Sequence, residues 1–321
     1  CTQKLIDSKK FIGPFKVFID SKYNNKGKLN WLEYVKKGST KNEILISTYC
    51  CHPSLANDNL SGIVLAIYLL EYLKTFKSKF TYRLVIVPET IGAITFLNQA
   101  KTKSIKGGMI LSCVAGPDNI SIKDGFQKDH FINVAAHLAM KNCVGSSYKT
   151  YPFTPEGSDE RQYSTPGFRI VTPSIHKSKY YEYNEYHTSA DNLDFISPGA
   201  LCETLEVYKE WINLIETYCF PKRTNMSCEY QLGKRNLYPS IGGTINQKAY
   251  GKINDKSKKR IFNFNDKINL NEDHLEAFNW LMHLADGSNS NFQIAEKSGK
   301  DISIINEAIG SMYQKKLLGL K

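Results

Sequence analysis

The segment Cys50-Cys51-His52-Pro53-Ser54-Leu55-Ala56-Asn57-Asp58-Asn59-Leu60-Ser61-Gly62 places an imidazole and a carboxylate in one short turn. These are two donors that suit zinc. An apolar, strand-like run over residues 43–48 precedes the turn, and a helix-like run over 62–75 follows it. His52 and Asp58 therefore fall at the carboxyl end of a buried strand, where open α/β sheets collect ligands and metals. Pro53 stiffens the turn and aims the His52 ring. Asn57 and Asn59 disfavour a regular helix around Asp58 and leave its carboxylate free to reach outward. The alternative use of Asp58 is to cap the following helix, although Asn59 or Ser61 can do that instead.

Three further segments carry chemistry. Glu89 follows Leu84-Val-Ile-Val-Pro, a strand apolar on both faces, so it emerges at the sheet's carboxyl edge. A half-buried carboxylate there needs a cation, which makes Glu89 a metal ligand or a general base; the sequence leaves the two open. Asp159 and Glu160 stand with Arg161 in a loop that serves as ligand or base if it folds over the site, and as an ion-paired turn if it does not. His187 lies among Tyr183, Tyr186 and Asp191, groups able to fix its tautomer from behind. Tyr180, Tyr181, Tyr183 and Tyr186 are expected to wall the pocket. Arg161, Lys177 and Lys179 are suited to hold a substrate carboxylate or phosphate; core packing with surface lysines accounts for these residues equally well. Cys50 and Cys51 point to opposite faces of an extended segment, so one of them should face the site, or simply be a small buried hydrophobe. Histidines 130, 137, 176, 274 and 283 lie outside the motifs and are assigned structural or surface roles.

The elements that must position these groups alternate strand and helix. Strands are expected at 44–48, 82–87, 109–114 and 168–172, and helices at 62–75, 91–99, 131–141 and 199–218. This alternation implies an α/β fold with a largely parallel central sheet flanked by helices. Before it, residues 11–18 and 29–35 around Asn24-Asn-Lys-Gly27 read as a β-hairpin, so residues 1–40 are taken as β-rich, a remnant of an inserted β subdomain. Residues 41–220 form the core and 221–270, rich in Gly, Asn and Lys, a connector. Residues 271–321 carry three short helices separated by Asp286-Gly287 and Ser298-Gly299, with Leu317-Leu318-Gly319 placed to begin a wing. That pattern resembles a winged helix. Its third helix begins Asp301-Ile-Ser-Ile-Ile-Asn306-Glu307, which opposes phosphate, so protein contact, such as a homo-oligomer, is expected there in preference to nucleic acid.

A 321-residue chain with 41% hydrophobic and 23% charged residues is that of a soluble globular protein with a sizeable core. No apolar run reaches the roughly 18–20 residues a membrane helix needs, so no membrane partner is expected. The net charge of +11 permits anionic partners; part of it lies in the run Lys256, Lys258, Lys259, Arg260, read as a solvated loop. Eight cysteines without any Cys-x-x-Cys pair suggest reduced thiols and a cytoplasmic location. Cys1 in place of Met suggests that the chain starts inside a longer protein.

Asp58-Asn-Leu-Ser-Gly, Ser158-Asp159 and His187-Thr-x-x-Asp191 resemble signatures of the zinc aminopeptidases of the bacterial leucyl-aminopeptidase type, in which such an Asp and His bind metal. Cys51-His-Pro-Ser-Leu-Ala-Asn-Asp58, Pro88-Glu-Thr-Ile-Gly92, Gly157-Ser-Asp-Glu-Arg-Gln-Tyr163 and Gln231-Leu-Gly-Lys-Arg-x-Leu-Tyr-Pro239 more closely resemble the aminopeptidase-like proteins encoded with bacterial polysaccharide-biosynthesis genes. The resemblance implies a zinc-peptidase core, with the metal expected on His52, Asp58 and His187 and with Glu89 as fourth ligand or as the base. It also has departures. The family's adjacent acid pair reads Pro88-Glu89, its second-metal Asp falls near Cys113, and the His of its His-x-Asp pair is replaced by Tyr49 or shifted to His52. One zinc is therefore expected, not two. The implied activity is cleavage of an amide in a small peptide or an amino-acyl or amino-sugar compound. The alternatives are a single-zinc amide transfer like that of glutaminyl cyclases, which share this core, and a non-catalytic binding protein that keeps the fold.

Overall fold

The computed structural model describes residues 4, 7–8, 14, 16, 18–238, 262–265 and 268–321. Most of the first hairpin arm at 11–18, most of the 225–266 connector including the basic run at 256–260, Pro239 and Cys1 lie outside the described residues. Contacts divide the chain into two units, residues 1–212 and 213–321. The division falls within a helix and not at residue 220.

Unit 1 is a mixed α/β fold around a seven-stranded sheet. Its elements are β1 (Leu32–Lys36), β2 (Glu43–Tyr49), α1 (Ser61–Lys74), β3 (Thr81–Val87), α2 (Ile91–Gln99), β4 (Ile105–Leu111), β5 (Ile120–Lys123), α3 (Phe131–Val144), β6 (Lys149–Tyr151), α4 (Glu160–Tyr163), β7 (Ser174–Lys177) and α5 (Pro198–Thr217), the last running across the division. The strand order is β1-β3-β2-β4-β7-β5-β6. The centre, β3-β2-β4-β7, is parallel, while β1 joins β3 and β5 joins β7 in antiparallel fashion.

The expected strands 44–48 and 82–87 sit in this parallel centre, where both faces are covered and the sequence runs apolar without alternating. Ile44, Leu45, Ile46, Leu84, Val85 and Val87 are buried. Helix α1 buries Leu65, Leu69 and Leu73, four residues apart, and exposes Ile67 and Tyr68. Gly62 lets α1 start against the end of β4: a Cβ there would stand 2.6 Å from the Leu111 carbonyl oxygen.

The expected partner arm at 11–18 lies mostly outside the described residues; the strand Leu32–Lys36 joins the main sheet, paired residue for residue with β3 from Leu32 opposite Ile86 to Lys36 opposite Tyr82. One expectation is corrected. The strand expected at 168–172 is displaced to Ser174–Lys177. Residues Val171 and Pro173 still accept backbone hydrogen bonds from Gly108 and Ile110, so the segment runs along β4 before regular pairing begins. Apolarity marked the run but not where its register locks. Strands β5 and β6 are short and were missed.

Unit 2 contains β8 (Pro221–Arg223), α6 (Glu272–Leu284), α7 (Asn291–Ser298), α8 (Ile302–Gln314) and β9 (Leu318–Leu320). Capping boxes start α6 at Asn271 and His274 and α7 at Ser290 and Gln293, and Gly299 ends α7 in the left-handed region. The three expected helices are present. Strand β9 does not open a hairpin wing of its own; it pairs antiparallel with β8 from upstream. Among the described residues no helix is long and apolar enough to cross a membrane.

Candidate metal centre

The chemistry-bearing groups leave the carboxyl ends of the parallel strands. His52 and Asp58 follow β2, Glu89 follows β3, Cys113 follows β4 and His187 follows β7. Parallel pairing aligns these ends, which is why residues far apart in sequence meet.

Asp58 is the centre of the arrangement and is almost wholly buried, 1% exposed. The Tyr49 hydroxyl donates to its Oδ1 at 2.7 Å. Its Oδ2 takes no hydrogen bond. That oxygen instead faces two imidazoles, His187 Nε2 at 3.2 Å and His52 Nδ1 at 3.6 Å. One donor atom from each of the three residues lies within 4.8 Å of the others. Burial holds the Asp58 carboxyl above its ordinary range, against the pull of Tyr49 and the two rings. A buried carboxylate oxygen with no hydrogen bond and two ring nitrogens aimed at it fits a divalent cation taking nitrogen and oxygen donors.

The turn carrying Asp58 is fixed by side chains in place of a ladder. Asp191 accepts the Asn57 and Asp58 backbone N–H groups at 2.6 and 3.1 Å. Asn59 donates to the Leu111 carbonyl and to Thr48, and Asn57 accepts from the Ala115 N–H. This corrects the expected role of Asp191, which orients the Asp58 turn and not the His187 ring. Tyr183 donates to Asp191 at 3.0 Å, so its hydroxyl is engaged in the same support and not turned to a substrate. Tyr186 stacks on His187 with ring centroids 4.0 Å apart and fixes the ring plane.

Glu89 stands beside this group without joining its three-atom cluster. Burial raises its carboxyl, opposed by the Ser158 hydroxyl and reinforced by the Asp58 charge. Asp159 is fully buried; its Oδ1 accepts the Thr90 N–H at 2.7 Å and its Oδ2 is unpartnered. Burial, partly offset by that hydrogen bond and reinforced by the Glu89 and Glu160 charges, pushes it up to about 7. Arg161 reaches Thr90 Oγ1 with one nitrogen while its Nε has no partner. Three acids raised together, with unpartnered oxygens on Asp58 and Asp159, make a site short of positive charge. A cleft of about 230 Å³ opens beside it, lined by Cys50, Cys51, His52, Asn59 and Ile63 among others.

Asp159 gives a pH dependence of known sign. The folded chain holds its proton up to about pH 7, whereas the unfolded chain releases it near the ordinary aspartate value of about 4. The unfolded state therefore binds fewer protons between these values, and stability falls as pH rises through that window. Asp159→Asn removes this loss and keeps an acceptor for Thr90. In chelator-treated protein its melting temperature should match the wild type near pH 4 and exceed it at pH 8. A constant difference at both pH values would contradict this account.

Glu160 is committed elsewhere through one oxygen: its Oε1 accepts from Lys123 Nζ at 2.6 Å and from the Tyr180 hydroxyl at 3.0 Å, all buried, while its Oε2 has no partner. Lys123 was overlooked; a lysine closing the apolar strand Ile120-Ser-Ile-Lys123 was the available signal. Glu160→Gln should destabilise the fold by about 3 kcal/mol, since it leaves the buried Lys123 charge without its counter-ion, and should leave metal content unchanged. Thermal unfolding and metal analysis of one sample check both.

Three further histidines are engaged elsewhere. His176 is buried between the Ser112 carbonyl and Ser174 Oγ, each at 2.8 Å, and burial depresses it to about 3. His137 pairs with Asp124 at 2.6 Å and His274 with Glu307 at 2.7 Å.

With this geometry described, comparison places the chain among known proteins. A family model described as "Domain of unknown function (DUF4910)" matches residues 17–218. A Clostridium acetobutylicum protein, named for polysaccharide biosynthesis with an aminopeptidase-like domain, is 36% identical over 308 residues, covering 95% of this chain. The chain spans 65% of the length of that relative. A crystal structure of a candidate peptidase from Clostridium acetobutylicum superposes with a TM-score of 0.73 at 34% identity, over 91% of this chain and 60% of that one. A zinc aminopeptidase from Bacillus subtilis gives a TM-score of 0.50 at 16% identity over 57% of this chain and 49% of its own, a likeness of fold alone.

Proposed function

This chain belongs to the DUF4910 family, and on that footing we propose that it is a zinc-dependent hydrolase acting on an amide in a small peptide or an amino-acyl or amino-sugar compound. The observation that carries the reading is the buried Asp58 Oδ2, free of hydrogen bonds and facing His52 and His187. His52, Asp58 and His187 would hold the metal. Zinc bound there supplies a Lewis acid that polarises a carbonyl and acidifies water.

The chain's own residues supply the rest. Glu89, raised by burial, is suited to accept a proton in a pocket where a charged carboxylate is disfavoured. Asp191 and Tyr49 keep the Asp58 turn from relaxing, and Tyr186 keeps His187 from rotating. Arg161, with one nitrogen unpartnered, is suited to orient a carboxylate or phosphate on the substrate. The relative's name, which joins polysaccharide biosynthesis to an aminopeptidase-like domain, supports peptide and sugar-linked amides as the first substrates to try. The test is hydrolysis of aminoacyl and N-acyl amino-sugar amides by metal-loaded and chelator-treated protein. Turnover that is indifferent to the chelator would overturn the reading.

A further inference from the structure

Cys51 stands next to the metal group without a role in it so far. Its Sγ lies 3.2 Å from His52 Nδ1, the same nitrogen that faces Asp58 Oδ2. On its other side it lies 3.8 Å from Glu89 Oε2. With zinc–sulfur and zinc–nitrogen bonds of about 2.3 and 2.0 Å, neighbouring sulfur and nitrogen donors on a tetrahedral shell stand about 3.5 Å apart. Neighbouring nitrogen and oxygen donors stand about 3.3 Å apart on the same geometry. The separation that involves the thiol, 3.2 Å, falls near that spacing, as do the 3.2 and 3.6 Å separations within the three-donor group. Independently of the thiol, the unpartnered Oδ2 of buried Asp58 points to a cation at this place.

We propose that Cys51 is the fourth protein ligand of the metal, completing a His52, Asp58, His187, Cys51 set. This rests on the metal reading above. The compact group as it stands comprises three donors, and Cys51 Sγ touches one of them. Its side chain is exposed and can turn without disturbing the core. On binding, the thiol gives its proton to solvent and the thiolate takes the cation. Glu89 is then released from service as a ligand and left as the proton acceptor, which separates the two roles its position allowed. Cys113 is the rival thiol, but it is fully buried and lies 3.9 Å from Asp58 Oδ1, the oxygen already held by Tyr49. A shell of four protein donors is the closed arrangement of structural zinc sites, whereas three leave a position open. Cys51 therefore decides whether this centre rests closed, and the amide chemistry proposed above requires the thiol to leave and open the fourth position.

The test is cobalt(II) substitution of the purified chain, read by absorption. A thiolate ligand gives an intense near-ultraviolet charge-transfer band that nitrogen and oxygen donors do not. The wild type and Cys113→Ser are expected to show the band with about one cobalt per chain, and Cys51→Ser to bind cobalt without it. One cobalt bound with no band in the wild type overturns the Cys51 assignment and leaves the metal reading standing. Loss of the band in Cys113→Ser but not in Cys51→Ser also overturns it. No cobalt bound at all overturns both.

Discussion

Asp58→Ala and His187→Ala are each expected to purify without zinc, where the wild type carries about one per chain by elemental analysis. Each removes a donor of the compact three-donor group, and the two left in that group, even with Cys51 beside them, hold the ion too weakly against solvent. Asp58 contributes more than a ligand. It is buried and accepts the Tyr49 hydroxyl, so Asp58→Asn is the companion variant that preserves shape and that hydrogen bond while weakening the metal. His176→Ala is the control. Loss of its two buried hydrogen bonds should cost about 2 kcal/mol of stability with zinc retained, because the ring faces Ser112 and Ser174 and not the cluster. Zinc loss from His176→Ala equal to that from His187→Ala would refute the assignment. Two tightly held metals in the wild type would refute the single site, which follows from the absence of an acid at Pro88 and Cys113.

Glu89→Gln should retain zinc and lose turnover by roughly 10²–10⁴-fold, the range for removing a general base. The amide keeps the size and hydrogen-bonding reach of the carboxylate but cannot take a proton. Because Glu89 stands outside the three-donor group, metal content should hardly change. The two readouts separate its possible roles: zinc loss with Glu89→Gln would make it a ligand, and full retention of both zinc and turnover would remove it from the site. The pH profile offers a further check. Burial raises the Glu89 carboxyl, so the acidic limb of the wild-type profile should lie above the ordinary carboxylate range and vanish in Glu89→Gln.

The sequence by itself determined the α/β class, because uninterrupted apolar strands separated by helical periodicity admit few other solutions. It also marked three residues that the fold brings together, His52, Asp58 and His187. Asp58 and Glu89 each close a strand or follow one within a turn, and parallel pairing carries such positions to one edge whatever the intervening loops do. His52 and His187 were legible for the same reason, with Pro53 and the His187-Thr-x-x-Asp191 spacing as local marks. What only the tertiary structure decided was how each polar group is satisfied. Asp159 and Glu160 are adjacent acids, yet one is held only by the Thr90 N–H while the other is neutralised by Lys123 from a distant strand. Asp191 turned out to hold the backbone at Asn57 and Asp58, 134 and 133 positions away. Residue type and spacing state what a side chain is able to do; which partner it finds depends on long-range packing that leaves no periodic trace along the chain. The pairings of Leu32–Lys36 with β3 and of β9 with β8 are long-range contacts of the same kind.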